Sequence, residues 1–217
     1  MPTFSDLSRA AYCPRQLYYA RRDDARGPPP EAKNRIQLAF RYDELRTADD
    51  ETLAELPIEC SPANYRTALA ELSTHELWDQ LCAPAARNYG IEGKDCHGRI
   101  HKLLAGDPPV PTVISPGNPP ETGVWEAQSV RAVAVANALA WERQREIPRA
   151  IVEYPAVGVV REVELHCRRT AAYRRVLRTV QSMDGPPPRV NDNRCESCDY
   201  RSECGVTTRS LKSLLGF

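Results

Sequence analysis

The chain has 217 residues, with 29 basic side chains against 29 acidic ones. A formal charge of zero excludes the global basic field that draws nucleic acid unaided. The length allows one good core with an appendage rather than several domains. The longest apolar stretch, Ala132 to Trp141, is broken by Asn137 and too short to span a bilayer, so no membrane partner is expected.

Ser5 is placed to cap a first short helix, and Pro14 to open a second that runs to about Arg22. Gly27-Pro28-Pro29-Pro30 reads as a linker. Helical spacing follows over Glu31 to Thr47, with Ile36, Ala39 and Phe40 marking its faces. Ser61-Pro62 starts a helix through Leu72, and Thr74 caps another carrying His75, Leu77, Trp78 and Leu81. The texture then changes. Tyr89–Glu92, Cys96–Leu104 and Val110–Ile114 are short and separated by glycines and prolines, which predicts a three-stranded meander. Val124–Arg145 is a long alanine-rich helix. Ala150–Glu153 and Gly158–Leu165 form a hairpin, and Arg168–Met183 is helical until Pro186-Pro187-Pro188 stops it. The expected organisation is one α+β unit. Its parts are a mostly helical portion at 1–85, an αβ core at 86–190 with a mixed sheet wrapped by helices, a cysteine segment at 191–205 and a tail at 206–217. The tail from Thr207 reads as a basic amphipathic stretch that packs on the body.

Chemistry concentrates in the cysteines. Cys195, Cys198 and Cys204 form a C-x2-C-x5-C run, and a two-residue spacer turns two sulfurs toward one point. A fourth ligand must come from elsewhere, and Cys13, in Tyr12-Cys13-Pro14-Arg15, is the candidate. Cys60, Cys82, Cys96 and Cys167 show no paired spacing, and the chain opens without an apolar signal region. A reducing, cytoplasmic compartment is therefore expected rather than a disulfide framework. Spacing alone leaves zinc and an iron–sulfur cluster both open. Among the basic residues arginine outnumbers lysine 25 to 4, a bias that genome composition alone can produce. The Arg21-Arg22, Arg168-Arg169 and Arg174-Arg175 pairs read as solvated helix faces, although the guanidinium fork suits phosphate.

Tyr12-Cys13-Pro14-Arg15 followed by Leu17-Tyr18-Tyr19, the terminal Cys195/Cys198/Cys204 spacing and the helix–βββ–helix–ββ order together resemble one family. It is that of the CRISPR-associated RecB-type nucleases, the fourth CRISPR-associated protein family. The family belongs to the restriction-endonuclease-like PD-(D/E)xK superfamily. The resemblance implies a [4Fe-4S] cluster on Cys13, Cys195, Cys198 and Cys204, a PD-(D/E)xK core, and single-stranded DNA as substrate. It also implies a CRISPR integrase or another DNA-processing protein as partner.

The middle of the chain departs from that family. Its Gly-x-x-Asp on the second strand is Gly98-Arg99-Ile100-His101 here, with His101 where the aspartate belongs. Its (D/E)-x-K on the third strand falls on Val113 and Ser115, which carry no charge at neutral pH. A hard Mg²⁺ or Mn²⁺ ion wants oxygen ligands, which this set does not provide. Gln128 matches the glutamine of the family's Q-x-x-x-Y motif, but Ala132 stands at the tyrosine. The expectation is a vestigial centre of His101, Val113, Ser115 and Gln128 in a cluster-bearing protein that binds DNA without cutting it. Two alternatives stand beside it. One is an active metal-dependent exonuclease that recruits Glu92, Asp95 or Asp107, with His75 as the family's upstream histidine. The other is a zinc-stapled interaction module. Tyr18 and Tyr19 follow the helix start as core residues or as platforms for stacked bases.

Overall fold

The computed structural model describes residues 1–23, 27, 29–190 and 192–205. Two helices open the chain, α1 (Phe4–Tyr12) and α2 (Pro14–Arg22). The cap of α1 is Thr3 rather than Ser5. Its hydroxyl accepts from the Asp6 N–H at 3.0 Å while Asp6 accepts from the Thr3 N–H, a reciprocal capping box. Five helices follow: α3 (Pro30–Leu38), α4 (Tyr42–Thr47), α5 (Asp50–Ala54), α6 (Pro62–Leu72) and α7 (Trp78–Cys82). The single helix expected over 31–47 is broken at 39–41, and α5 had no counterpart in the sequence reading. Ser61 caps α6 as expected. His75 lies in the turn before α7, not on a helix, and its Nδ1 accepts from the Leu77 N–H at 3.1 Å.

The sheet comprises β1 (Ala86–Glu92), β2 (His97–Leu104), β3 (Val110–Ile114), β4 (Arg149–Tyr154) and β5 (Val159–Glu164), in that spatial order. The first three strands form an antiparallel meander. β3 and β4 run parallel, joined by the long helix α8 (Glu126–Arg143), and β5 returns antiparallel. A parallel pair needs such a crossover because a tight turn cannot reverse the chain twice. Helix α9 (Cys167–Gln181) leads to a 3₁₀ turn at Asn193–Cys195 and a final short helix, α10 (Arg201–Cys204). The fold is thus a five-stranded mixed sheet flanked by helices.

Alternation along β3 and β4 decides which layer covers which face. Val113, Ala150, Val152 and Tyr154 join the core beneath α1, α2, α8 and α9. Ile114 and Ile151 join Leu38, Tyr42, Leu45, Tyr65 and Leu81 of α3–α7 on the opposite face. The side chains of a strand point to alternate faces, so these two strands are buried on both sides. Helix α8 is apolar nearly all round, as a helix enclosed by sheet and other helices must be, and its buried Ala132, Ala134, Ala136 and Ala138 permit close approach. No helix among the described residues is long and apolar enough to cross a membrane.

The approach is closest at Gly93, where an added Cβ would sit 2.7 Å from both Cα and Cβ of Ala138. Gly93→Ala is expected to lower the urea midpoint by the equivalent of about 1–3 kcal/mol through overpacking. Gly90→Ala, inside the strand that ends just before Gly93, meets open space and should stay within about 0.5 kcal/mol. Equal effects from the two would show that the contact with α8 is not what constrains Gly93.

Candidate functional site

Two places gather the residues singled out in the sequence. The first is where the chain ends meet. Cys13 sits between two helices in extended backbone (φ −159°, ψ 113°), because Pro14 at the first position of α2 forces the residue before it out of helical conformation. Its own N–H still donates to the Arg9 carbonyl at 2.8 Å, so the corner is fixed. The C-terminal cysteines hang on consecutive turns. Asp192 caps the 3₁₀ turn through the Arg194 N–H, Arg201 N–H donates to the Cys198 carbonyl at 3.0 Å, and Gly205 ends α10 in the left-handed region (φ +63°). These turns bring Cys195, Cys198 and Cys204 to the wall of one small pocket whose opposite wall includes Cys13. Sulfurs more than 180 positions apart in sequence therefore share one cavity.

Side chains of the first two helices hold that arrangement together. Arg15 donates to the Pro187 carbonyl at 2.7 Å, Tyr19 donates to the Glu203 carbonyl at 3.1 Å, and Gln16 reaches the Cys198 sulfur at 3.9 Å. The Tyr19 ring stacks on Tyr200 with centroids 5.8 Å apart, and Arg194 lies over Tyr12 while donating to its carbonyl. Tyr19 is thus engaged by the cysteine segment, neither core nor open to a base. This clamp was missed in the sequence, although Arg15 and Tyr19 stand four apart on one helix face, a spacing that makes them neighbours.

All eight cysteines are free thiols. Cys96 is buried beside the Tyr173 hydroxyl at 3.6 Å, and burial pushes its thiol up to about 11. Cys60 and Cys82 are half-buried and Cys167 is exposed. None of these four lines the shared pocket. The donor set there is all thiol, which fits a soft metal or an iron–sulfur group. Among the described residues, no three His, Cys, Asp or Glu side chains converge closely enough to hold a single ion.

The second place is a cavity of about 620 Å³ between the start of α1, the end of α2, strands β1 and β2, and α8. His101 lines it. The β2–β3 pairing runs from Lys102 to Leu104, and at its end the His101 ring takes over, its Nδ1 accepting from the Ile114 N–H at 3.0 Å. Ser115, just past β3, gives its N–H to the Glu153 carbonyl and accepts from Gln128 Nε2 at 3.2 Å. Gln128 is in the first turn of α8, so His101, Ser115 and Gln128 all cluster at the end of β3. Val113 does not face them; it is 1% exposed, in the core beneath α8. Arg131, one turn beyond Gln128, lines the cavity with His101 and was not singled out in the sequence.

The carboxylates considered as substitutes lie elsewhere. Asp95 lines a shallow groove on the outer side of α8 with Trp141 and Arg174, and Asp107 pairs with Arg145. Glu92 is exposed at the end of β1. His75 belongs to the helical layer on the other face. The tail at 206–217 lies outside the described residues.

Burial, then the positive charges of Arg131 and Lys102, push the His101 imidazole down to about 3, so the ring is neutral near pH 7 and can accept from Ile114. In the unfolded chain the imidazole returns to about 6.5. Between those values the unfolded state binds the extra proton. Stability attributable to His101 is therefore complete above about pH 6.5 and declines as the pH falls toward 3, by about 1.4 kcal/mol per unit. Urea unfolding is expected to show wild type losing up to about 2 kcal/mol more than His101→Asn between pH 6.5 and 5. Asparagine offers an acceptor that does not titrate. Parallel profiles for the two proteins would mean the ring is not held neutral.

Comparison with protein-family models and with the curated proteins found no match.

Proposed function

We propose that this chain is an iron–sulfur protein of the CRISPR-associated RecB-type nuclease family, with a PD-(D/E)xK-like core whose cutting centre has been lost. It binds single-stranded DNA, or a DNA-processing partner, through the cavity beside His101. The observation that carries this reading is the pocket shared by Cys13, Cys195, Cys198 and Cys204. Four thiols drawn from opposite chain ends are the ligand complement of a cubane cluster. A single tetrahedral zinc asks for sulfurs about 3.8 Å apart, given bonds of about 2.3 Å.

The cluster's part is structural: bound, it supplies four iron–thiolate bonds that tie the C-terminal turns to α1 and α2. The chain's own residues do the rest. Arg15, Gln16 and Tyr19 orient the cysteine segment, and Arg194 anchors it to Tyr12. Loss of cutting is supported by the side chains gathered at the end of β3. His101, Ser115 and Gln128 present no carboxylate there, and the neighbouring Arg131 repels a divalent cation.

The test is a metal count and a nuclease assay on anaerobically purified protein. Iron with labile sulfide and broad absorbance near ~400 nm is expected, together with binding but no degradation of single-stranded DNA in Mg²⁺ or Mn²⁺. Zinc without iron would defeat the cluster. Metal-dependent degradation abolished by Asp95→Asn would defeat the inactive reading.

A further inference from the structure

The cavity beside His101 contains an unusual cation. Arg131 is half-buried, and its Nε is out of reach of solvent with no hydrogen-bond partner. No ion pair or hydrogen bond to its guanidinium is found among the described residues. Burial lowers its pKa to about 10, so it remains charged near neutral pH. His101, which shares the cavity and feels the Arg131 charge, is neutral and offers no counter-charge. With only its Nε shielded, the half-buried guanidinium keeps its two terminal nitrogens available to a ligand.

The rest of the lining points to the missing partner. Arg9, Arg21 and Arg99 line the same cavity, and Asp6 is the one carboxylate among its described lining residues. Asp6 is already engaged by Arg21 at 3.0 Å and by the α1 cap. The first residues of α1, a nine-residue helix, also line the cavity, and the leading N–H groups of a helix lack acceptors within it. An excess of guanidinium, one of them half-buried and without a partner among the described residues, together with a helix start, is chemistry for an anion with several oxygens. Bidentate phosphate recognition is what the planar fork does well. The volume of about 620 Å³ exceeds what a lone phosphate fills, leaving room for the group that carries it.

We propose that this cavity is a phosphate seat, in which Arg131 forms an ion pair with one phosphate of a larger ligand while Arg9 and Arg99 hold its flanks. Arg131 then occupies, with positive charge of its own, the role a metal ion plays in a cutting enzyme's phosphate site, but it supplies no activated water. Only the identification of the ligand as a DNA strand rests on the function proposed above; the seat itself does not.

The test uses the full chain as purified, as wild type, Arg131→Gln and Arg131→Lys. Two probes are used, inorganic phosphate followed by thermal shift and a 5′-phosphorylated single-stranded oligonucleotide followed by fluorescence anisotropy. Without ligand, Arg131→Gln should melt at or above the wild-type temperature, because an unpaired charge has gone. Phosphate should raise the melting temperature of wild type and not of Arg131→Gln. Oligonucleotide affinity should fall at least ~10-fold in Arg131→Gln, with the log–log salt slope reduced by about one, and Arg131→Lys should recover part of it. A phosphate response through Arg131 without DNA binding would keep the seat, assign it a free phosphate ligand and defeat the DNA reading. Unchanged phosphate and oligonucleotide responses in Arg131→Gln, whatever its melting temperature, would overturn the seat.

Discussion

On the proposed cluster reading, Cys13→Ser is expected to purify with little iron and little absorbance near ~400 nm, and Cys198→Ser should do the same, while Cys167→Ser keeps both. The two sensitive thiols come from opposite ends of the chain and face one pocket, whereas Cys167 is exposed at the start of α9. A group that binds only the folded chain stabilises it by its own binding free energy. Losing a cross-link between chain ends typically costs about 2–5 kcal/mol, or about 5–15 °C in melting temperature for a chain of this size. None of the four pocket cysteines belongs to either apolar core, so the loss should be local at first. Arg189 and Arg194 are exposed on the segment that the centre would fasten, and trypsin should cut there sooner in Cys13→Ser than in wild type. Residual contacts from Arg15 and Tyr19 set a floor under the effect. Iron content and trypsin resistance that survive Cys13→Ser would remove the residue from the ligand set.

Much of this arrangement is legible in the sequence. Val110–Ile114 forms the strand that its β-branched, proline-bounded sequence predicts, and the alanine-rich helix begins and ends within two residues of expectation. The βββ–α–ββ–α order follows from the change in texture near residue 85. The misses have local causes. β1 starts at Ala86, three residues before expectation, because Asn88 takes a positive φ of 50° and interrupts the alternation that marks a strand. The helix over 31–47 breaks because the Ala39 carbonyl is given to Lys102, 63 residues away. Thr3 and Asp6 spelled a capping box that was overlooked in favour of Ser5. In the site, the cysteine spacing was legible, but the clamp of Arg15, Tyr19 and Arg194 was not, since its partners are mostly backbone carbonyls that carry no sequence signal. Arg131 was hidden in the same way: that it has no partner among the described residues is a matter of packing, which carries no sequence signal.

The remaining miss has the second large consequence. Lys102 precedes Leu103-Leu104 near the end of β2, and Glu153 stands between Val152 and Tyr154 in β4, so each charge sits in a buried run and together they mark a buried pair once the register is known. Both side chains are 0% exposed, with Lys102 Nζ 2.7 Å from Glu153 Oε2. The ammonium places its other two protons on the carbonyls of Ala39 at 2.6 Å and Leu81 at 2.8 Å, and the Thr112 hydroxyl donates to Glu153 Oε1 at 2.7 Å. The Tyr42 ring centroid lies 4.7 Å from Nζ, on the same side. Every proton of the lysine is thus used, and the pair bolts the α3–α4 turn and α7 to the centre of the sheet. Desolvation still presses the Lys102 pKa downward despite its partner, so the pair is specific rather than strongly stabilising. Lys102→Met is expected to cost about 3–5 kcal/mol, because it leaves a dry carboxylate and two carbonyls without donors. Lys102→Met combined with Glu153→Leu should recover a large part of that loss, since no buried charge remains. Hydrogen exchange in the single variant should rise first in α3, α4 and α7, ahead of α8. If Lys102→Met alone changed the urea midpoint by the equivalent of less than about 1 kcal/mol, the pair would have to be open to water, and the helical layer held by its apolar contacts alone.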